Sequence, residues 1–182
     1  MIFTETLLKG AFVIELEPVQ DGRGMFARAW CQKEAATKGI QVAWVQHNLS
    51  VSHYKGTMRG MHYQAAPYEE VKLVQCIRGA IYDVMVDLRP ASPTYCQSVG
   101  VVLSAENRRM LYIPATFAHG YITLQDSAEV FYHMSAYHVP DAARGFRWDD
   151  PAFGIEWPES ITHMSDRDRS WPTFAPKRGP HS

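Results

Sequence analysis

Short runs of alternating or continuous apolar residues fill most of the chain. VIELEP, MFARAW, AWVQHNLSVS, KLVQCI, AIYDVMVDL, SVGVVL, RMLYIP, GYITL and EVFYHMSAY are rich in Val, Ile, Tyr and Phe. Such runs predict strands, because branched and aromatic side chains suit a pleated, half-buried surface. Turn chemistry separates them: DGRG, SHYKG, Arg78-Gly79, RPASPT and the region of Gly120. Only CQKEAATKG, Cys31 to Gly39, reads as a helix with a glycine stop. The segment after Asp141 is rich in Trp, Pro and Asp and predicts short helices or turns. No repeat, low-complexity stretch or linker divides the chain, so one domain is expected over residues 1–182. Many short strands and little helix predict an all-β antiparallel barrel or jelly roll. A barrel of this kind turns one face of each strand inward, and polar residues at inward positions then mark a ligand cavity.

Period-two alternation gives a first list of such positions. Lys72 shares a face with Val74 and Cys76, and Asp83 with Ile81, Met85 and Asp87. His62 shares a face with Gly60 and Gln64, and Tyr132 with Met134 and Ala136. A one-residue bulge would reverse the parity of any of these.

Composition narrows the class. With 182 residues, 46% of them hydrophobic and 20% charged, the chain reads as soluble and globular with a sizeable core. A net charge of -1 argues against a general nucleic-acid or membrane-surface role. The three cysteines, Cys31, Cys76 and Cys96, are far apart and form no C-x-x-C pair, which suits reduced thiols in a cytosol. The start, MIFTETLLKGAFVIELEP, has no basic leader and no long apolar run, so neither a signal peptide nor a membrane helix is expected, and a cytoplasmic location is.

Eight histidines gather around the middle of the chain, and RGMHYQ, Arg59 to Gln64, concentrates groups that handle protons and anions. With DGRGMF at 21–26, VQHNLS at 45–50 and KLVQCIRGAIYDVMVDLR at 72–89, it forms part of an ordered series. SPT at 92–94, LSAENRRMLYIPATFAHGY at 103–121, AEVFYHMSAY at 128–137, WDDPAFGIEWP at 148–158 and SDRD at 165–168 continue it. This series resembles the dTDP-4-dehydrorhamnose 3,5-epimerases, cupin-type enzymes of nucleotide-sugar biosynthesis. The resemblance implies a cupin jelly roll with a few short helices. It also implies a substrate with a 4-keto-6-deoxy sugar on a nucleoside diphosphate.

The C4 ketone of such a sugar acidifies the protons on C3 and C5. A base removes one, an enolate forms, and an acid returns a proton to the opposite face. The resemblance implies His62 as base with Asp168 behind it, Lys72 at the enolate oxygen and Tyr132 as the opposing acid. His119, partnered by Asp83, would support the carbonyl region. Arg23, Gln46, Asn48 and Arg59 would hold the nucleotide and diphosphate, Tyr137 would stack near the base, and Arg167 would lie near the phosphates. No cofactor or metal is implied, since the proton transfers are redox-neutral. A homodimer is implied, with strands or the N-terminal segment exchanged between subunits.

The chain departs from the family pattern in places. Arg28 and Arg144 stand where the family has acidic residues, and His133 follows Tyr132 in place of a lysine. Acid-to-base changes at the binding region leave GDP-, CDP- and UDP-linked sugars open as substrates. A 3-only or 5-only epimerase, or a ketoisomerase, is the alternative on the same scaffold.

Each residue also has a plain structural reading. His62 alone would be a satisfied core or surface histidine, and Tyr132 a core aromatic with a bonded hydroxyl. SDRDRS would be a solvated tail and Arg23 a turn residue. A metal-dependent cupin would offer His62 and His119 but has Gln64 where a second clustered histidine belongs, fewer protein ligands than catalytic metals take. A non-catalytic sugar-nucleotide binder would not need a full base, lysine and tyrosine set.

Overall fold

The structure is a computed structural model that describes residues 1–175; residues 176–182 of the expected domain lie outside it. The chain opens with β1 (Ile2–Glu5), β2 (Phe12–Glu15), β3 (Val19–Asp21), β4 (Gly24–Phe26) and a short helix, α1 (Gln32–Ala36). The barrel strands follow: β5 (Gln46–Ser52), β6 (Thr57–Gln64), β7 (Lys72–Arg78), β8 (Ala80–Asp87) and β9 (Ser98–Ser104). Then come β10 (Met110–Ile113), β11 (Phe117–Thr123) and β12 (Ala128–Met134). A 3-10 turn (Pro140–Ala142), β13 (Ala143–Gly145), β14 (His163–Met164) and α2 (Asp166–Arg169) end the described chain.

The strands build two main sheets, in the orders β1-β2-β10-β7-β12-β5 and β13-β6-β11-β8-β9. Neighbours pair antiparallel, except β14, which joins β6 in parallel. From β5 to β12 the chain moves back and forth between the sheets, which makes an antiparallel jelly roll of the cupin type. The inner faces meet in a core that includes Val74, Ile81, Met85, Leu111, Phe117 and Val130. Burying each such side chain contributes about 1.5–3 kcal/mol. The outer face of the second sheet, with Met58, Val84 and Ile122, is covered by Phe146 and Phe153 from the C-terminal segment. On the first sheet, Leu73, Met110 and Ile14 lie under Ala35 of α1 and Ile40. Coverage on both faces explains why β7 and β8 read as nearly continuous apolar runs.

Two expected elements are shorter than their sequences suggest. The helix over Cys31–Gly39 ends at Ala36, and a turn carries the chain to Gly39, whose φ of 76° fits a glycine stop. MFARAW contributes only its first two residues, Met25 and Phe26, to a strand, because β4 pairs with nothing but β3 and the hairpin stands off both sheets. All six residues of that hairpin's strands are exposed. Among the described residues, no helix is long and apolar enough to cross a membrane.

Candidate active site

A cavity with two adjoining lobes, of about 460 and about 430 Å³, draws its walls from both sheets. Arg59, His62, His119, Tyr132, Ser165 and Asp168 line both lobes, so they form the shared wall. Lys72 and Tyr132 come from β7 and β12 of the first sheet, and Arg59, His62 and His119 from β6 and β11 of the second. The polar groups that line the cavity are thus carried by opposing sheets.

A bulge sets the spacing on β6. His119 pairs with His62 while Tyr121 pairs with Arg59, so two steps on β11 span three on β6. Strict alternation would place Arg59 and His62 on opposite faces; the extra residue lets both line the cavity. Gly60 lies inside the bulge with φ 142°, and a Cβ there would stand 2.5 Å from the Cα of Gly120. Only glycine fits this approach of β6 to β11.

His62 Nε2 lies 2.6 Å from Asp168 Oδ1. Asp168 is buried and held in α2, where the Ser165 hydroxyl accepts from its backbone N–H at 3.1 Å. Burial works to raise the Asp168 carboxyl. The hydrogen bond and charge of His62, with the Gly60 backbone and Ser165, outweigh it and hold the group below its usual range. With Nε2 committed to a carboxylate, the ring's other nitrogen, Nδ1, is the one left to meet a substrate.

Lys72 is buried and paired with Glu70, Nζ to Oε1 2.9 Å. His119 Nδ1 lies 3.3 Å from Asp83 Oδ1, and Asp83 is wholly buried behind it. Burial and the nearby Lys72 charge hold His119 below the usual histidine range, against the pull of Asp83. A neutral imidazole is therefore its favoured form. Burial likewise raises the Tyr132 phenol, so it keeps its proton and can donate it.

Amide and guanidinium side chains surround this centre. Gln46 donates to Asn48 at 3.0 Å, and both line the second lobe with Arg144, Arg167 and Trp171. Arg59 donates to the Ser52 hydroxyl and the Val51 carbonyl at 3.1 and 3.0 Å, which aims a guanidinium along the shared wall. Arg167 lies over the Trp171 ring at 5.3 Å, a cation–π contact that fixes both side chains. Gln64 is not a free ligand: its amide donates to the Tyr68 and Tyr137 carbonyls and accepts from the Val139 N–H. Among the described residues, no group of three His, Cys, Asp or Glu side chains is placed to hold a metal ion.

A family model described as dTDP-4-dehydrorhamnose 3,5-epimerase matches residues 5–176. The chain belongs to this epimerase family. A dTDP-4-dehydrorhamnose 3,5-epimerase of Sinorhizobium fredii is 43% identical over 155 residues, 85% of this chain and 80% of that protein. The Bacillus anthracis epimerase, solved with TDP and pyrophosphate bound, superposes with a TM-score of 0.92 at 40% identity, covering 95% of this chain and 99% of that one. The Legionella pneumophila epimerase in complex with dTDP-4-keto-L-rhamnose gives a TM-score of 0.88 at 35% identity over 94% and 92% of the two chains. The chain is an isomerase, and its cupin barrel is the barrel of the epimerase family.

In this epimerase fold ten of the sequence candidates line the cavity: Gln46, Asn48, Arg59, His62, Lys72, His119, Tyr132, Arg144, Arg167 and Asp168. Asp83 backs His119 without reaching the cavity. Arg23, Arg28 and Tyr137 are not among the lining residues. Arg23 sits at the tip of the β3–β4 hairpin, paired with Asp21. Arg28 is tied to Glu34 of α1. Tyr137 is exposed, with its backbone carbonyl held by Gln64. The sequence reading missed Glu70 and Trp171 as cavity residues. Glu70 carried a usable signal, since it stands two residues before Lys72 and so on the same face of an extended chain. Trp171 had none beyond the aromatic itself.

Proposed function

We propose that this epimerase converts dTDP-4-dehydro-6-deoxy-D-glucose to dTDP-4-dehydro-L-rhamnose by inverting C3 and C5. The observation that carries the reading is the His62–Asp168 pair lining the same cavity as Tyr132, with the buried Lys72 alongside. His62 Nδ1 takes a proton from the carbon next to the ketone, and Asp168 supports the imidazolium that forms. Lys72 and neutral His119 donate to the oxygen that gains charge. Tyr132, reaching in from the other sheet, returns a proton to the opposite face. Gln46, Asn48, Arg59, Arg144 and Arg167 hold the nucleotide and diphosphate, arginine matching phosphate geometry in two-point contacts. The proton transfers are redox-neutral and call for no electron carrier.

The working unit is a homodimer in the cytoplasm. Val19 and Phe26 expose 71% and 76% of their surface on a β3–β4 hairpin that joins neither main sheet, and a two-stranded ribbon by itself is marginally stable. Placed on a second copy, the hairpin would bring Arg23 and Arg28 to that copy's nucleotide, where one chain alone leaves them outside the cavity. Light scattering tests this: a dimer is expected, and a monomer with full activity would refute it. Solvent deuterium entering both C3 and C5 tests the chemistry. Exchange at one carbon only would assign a mono-epimerase.

A further inference from the structure

We propose that Glu70 is the positioning residue for Lys72, supplying the counter-charge that lets an ammonium stand in this buried cavity and aiming it at the substrate oxygen. The inference rests on the reading of the cavity as an epimerase site. Lys72 and Glu70 expose 9% and 4% of their side chains, and their charged atoms are 2.9 Å apart. Glu70 Oε2 is cut off from solvent with no hydrogen-bond partner among the described residues. Among the described residues the carboxylate therefore has one tie, the one to Lys72. An acid half-satisfied in this way is costly to bury. As packing, an apolar pair of the same size would serve better, since a buried ion pair seldom outdoes hydrophobic replacement. The arrangement makes sense where a fixed cation facing a cavity is itself the product, and both residues line the lobe shared with His62, His119 and Tyr132.

Glu70 precedes Lys72 on its own strand's lead-in; His119 shares the lobe from β11, Tyr132 from β12, and Arg59 and His62 from β6. Of these, Glu70 alone is in ion-pair contact with Lys72. In Glu70→Gln the Lys72 side chain loses its ion-pair partner and with it the contact that aims its nitrogen into the lobe.

The experiment follows solvent deuterium into dTDP-4-keto-6-deoxyglucose for wild type, Glu70→Gln, Lys72→Met and the double variant. Glu70→Gln is expected to lower kcat roughly tenfold or more, with KM within about threefold. In the Lys72→Met background the same change is expected to cost less than about twofold, because the residue it acts through is gone. Equal loss in both backgrounds, or a loss confined to KM, would overturn the proposal. Should Glu70→Gln fail to fold, Glu70→Asp keeps the charge one methylene back: a reduced kcat with KM held is expected, and full activity would refute. Wild type that exchanges neither carbon would bring down the functional reading itself. Wild type that exchanges while Glu70→Gln matches it brings down Glu70 alone.

Discussion

Asp168→Asn isolates what the carboxylate does for the base. The substitution keeps the shape of the side chain and its capacity to accept from His62 Nε2, now 2.6 Å away, but removes the charge. Asp168 is 5% exposed, so bulk solvent does little to replace that charge. Two unit charges about 4 Å apart at an effective dielectric near 20 attract by about 4 kcal/mol. His62 is 40% exposed at its side chain, and screening there reduces the figure by about half. About 2 kcal/mol then remains to stabilise the imidazolium as it forms, or roughly 30-fold in kcat. The assay is the initial rate of deuterium entry at C3 and C5 under saturating substrate, with thermal melting as a check on folding. A variant within threefold of wild type, or one whose defect lies in KM alone, would refute the pairing of His62 with Asp168 as the basic element.

Other substitutions test neighbouring parts of the account. Tyr132→Phe is expected to keep proton washout while losing inversion at least tenfold; unaltered inversion, read by NMR of the product sugar, would remove Tyr132 from the mechanism. Asp87 is wholly buried and accepts from Arg89, Ser92 and Thr94; burial alone would raise it, but these bonds bring its carboxyl down to about 2 from 3.8. That difference contributes about 2 kcal/mol above pH 4, lost as pH falls toward 2, so Asp87→Asn should lower the melting temperature most at neutral pH and little near pH 2. His119, held below 6.5 by burial, gives a second acid sensitivity. The unfolded chain takes its proton first, so stability should decline as pH drops below about 6.5, and His119→Asn should flatten that slope in chemical denaturation.

Much of the barrel was legible because local pattern and tertiary setting agree. β7 and β8 lie between two covered faces, and their unbroken apolar runs say so. The placement of Lys72 with Val74 and Cys76, and of Asp83 with Ile81 and Met85, follows from alternation on strands that hold their register. β1, β3, β13 and β14 were not legible: they are two to four residues long and carry no buried residue, so no apolar alternation marks them. The same holds for the geometry of RGMHYQ. Arg59 and His62 share a cavity only because Gly60 packs against Gly120 in a bulge, a contact between segments far apart in sequence. Asp168 reaches His62 through α2, a single turn of helix whose charged sequence alone reads as surface. Arg23 and Arg28 lie outside the cavity, on the β3–β4 hairpin and just after it, and no pattern along the sequence said that this hairpin would stand apart from both sheets.

The central claim is that this cavity moves protons at both carbons beside the ketone. Proton NMR of dTDP-4-keto-6-deoxyglucose with the protein in D₂O tests it most directly. The account predicts deuterium at C3 and at C5, with both abolished in His62→Ala while nucleotide-sugar binding persists. Retention of both protons by the folded wild-type protein, or unchanged exchange in His62→Ala, would contradict it.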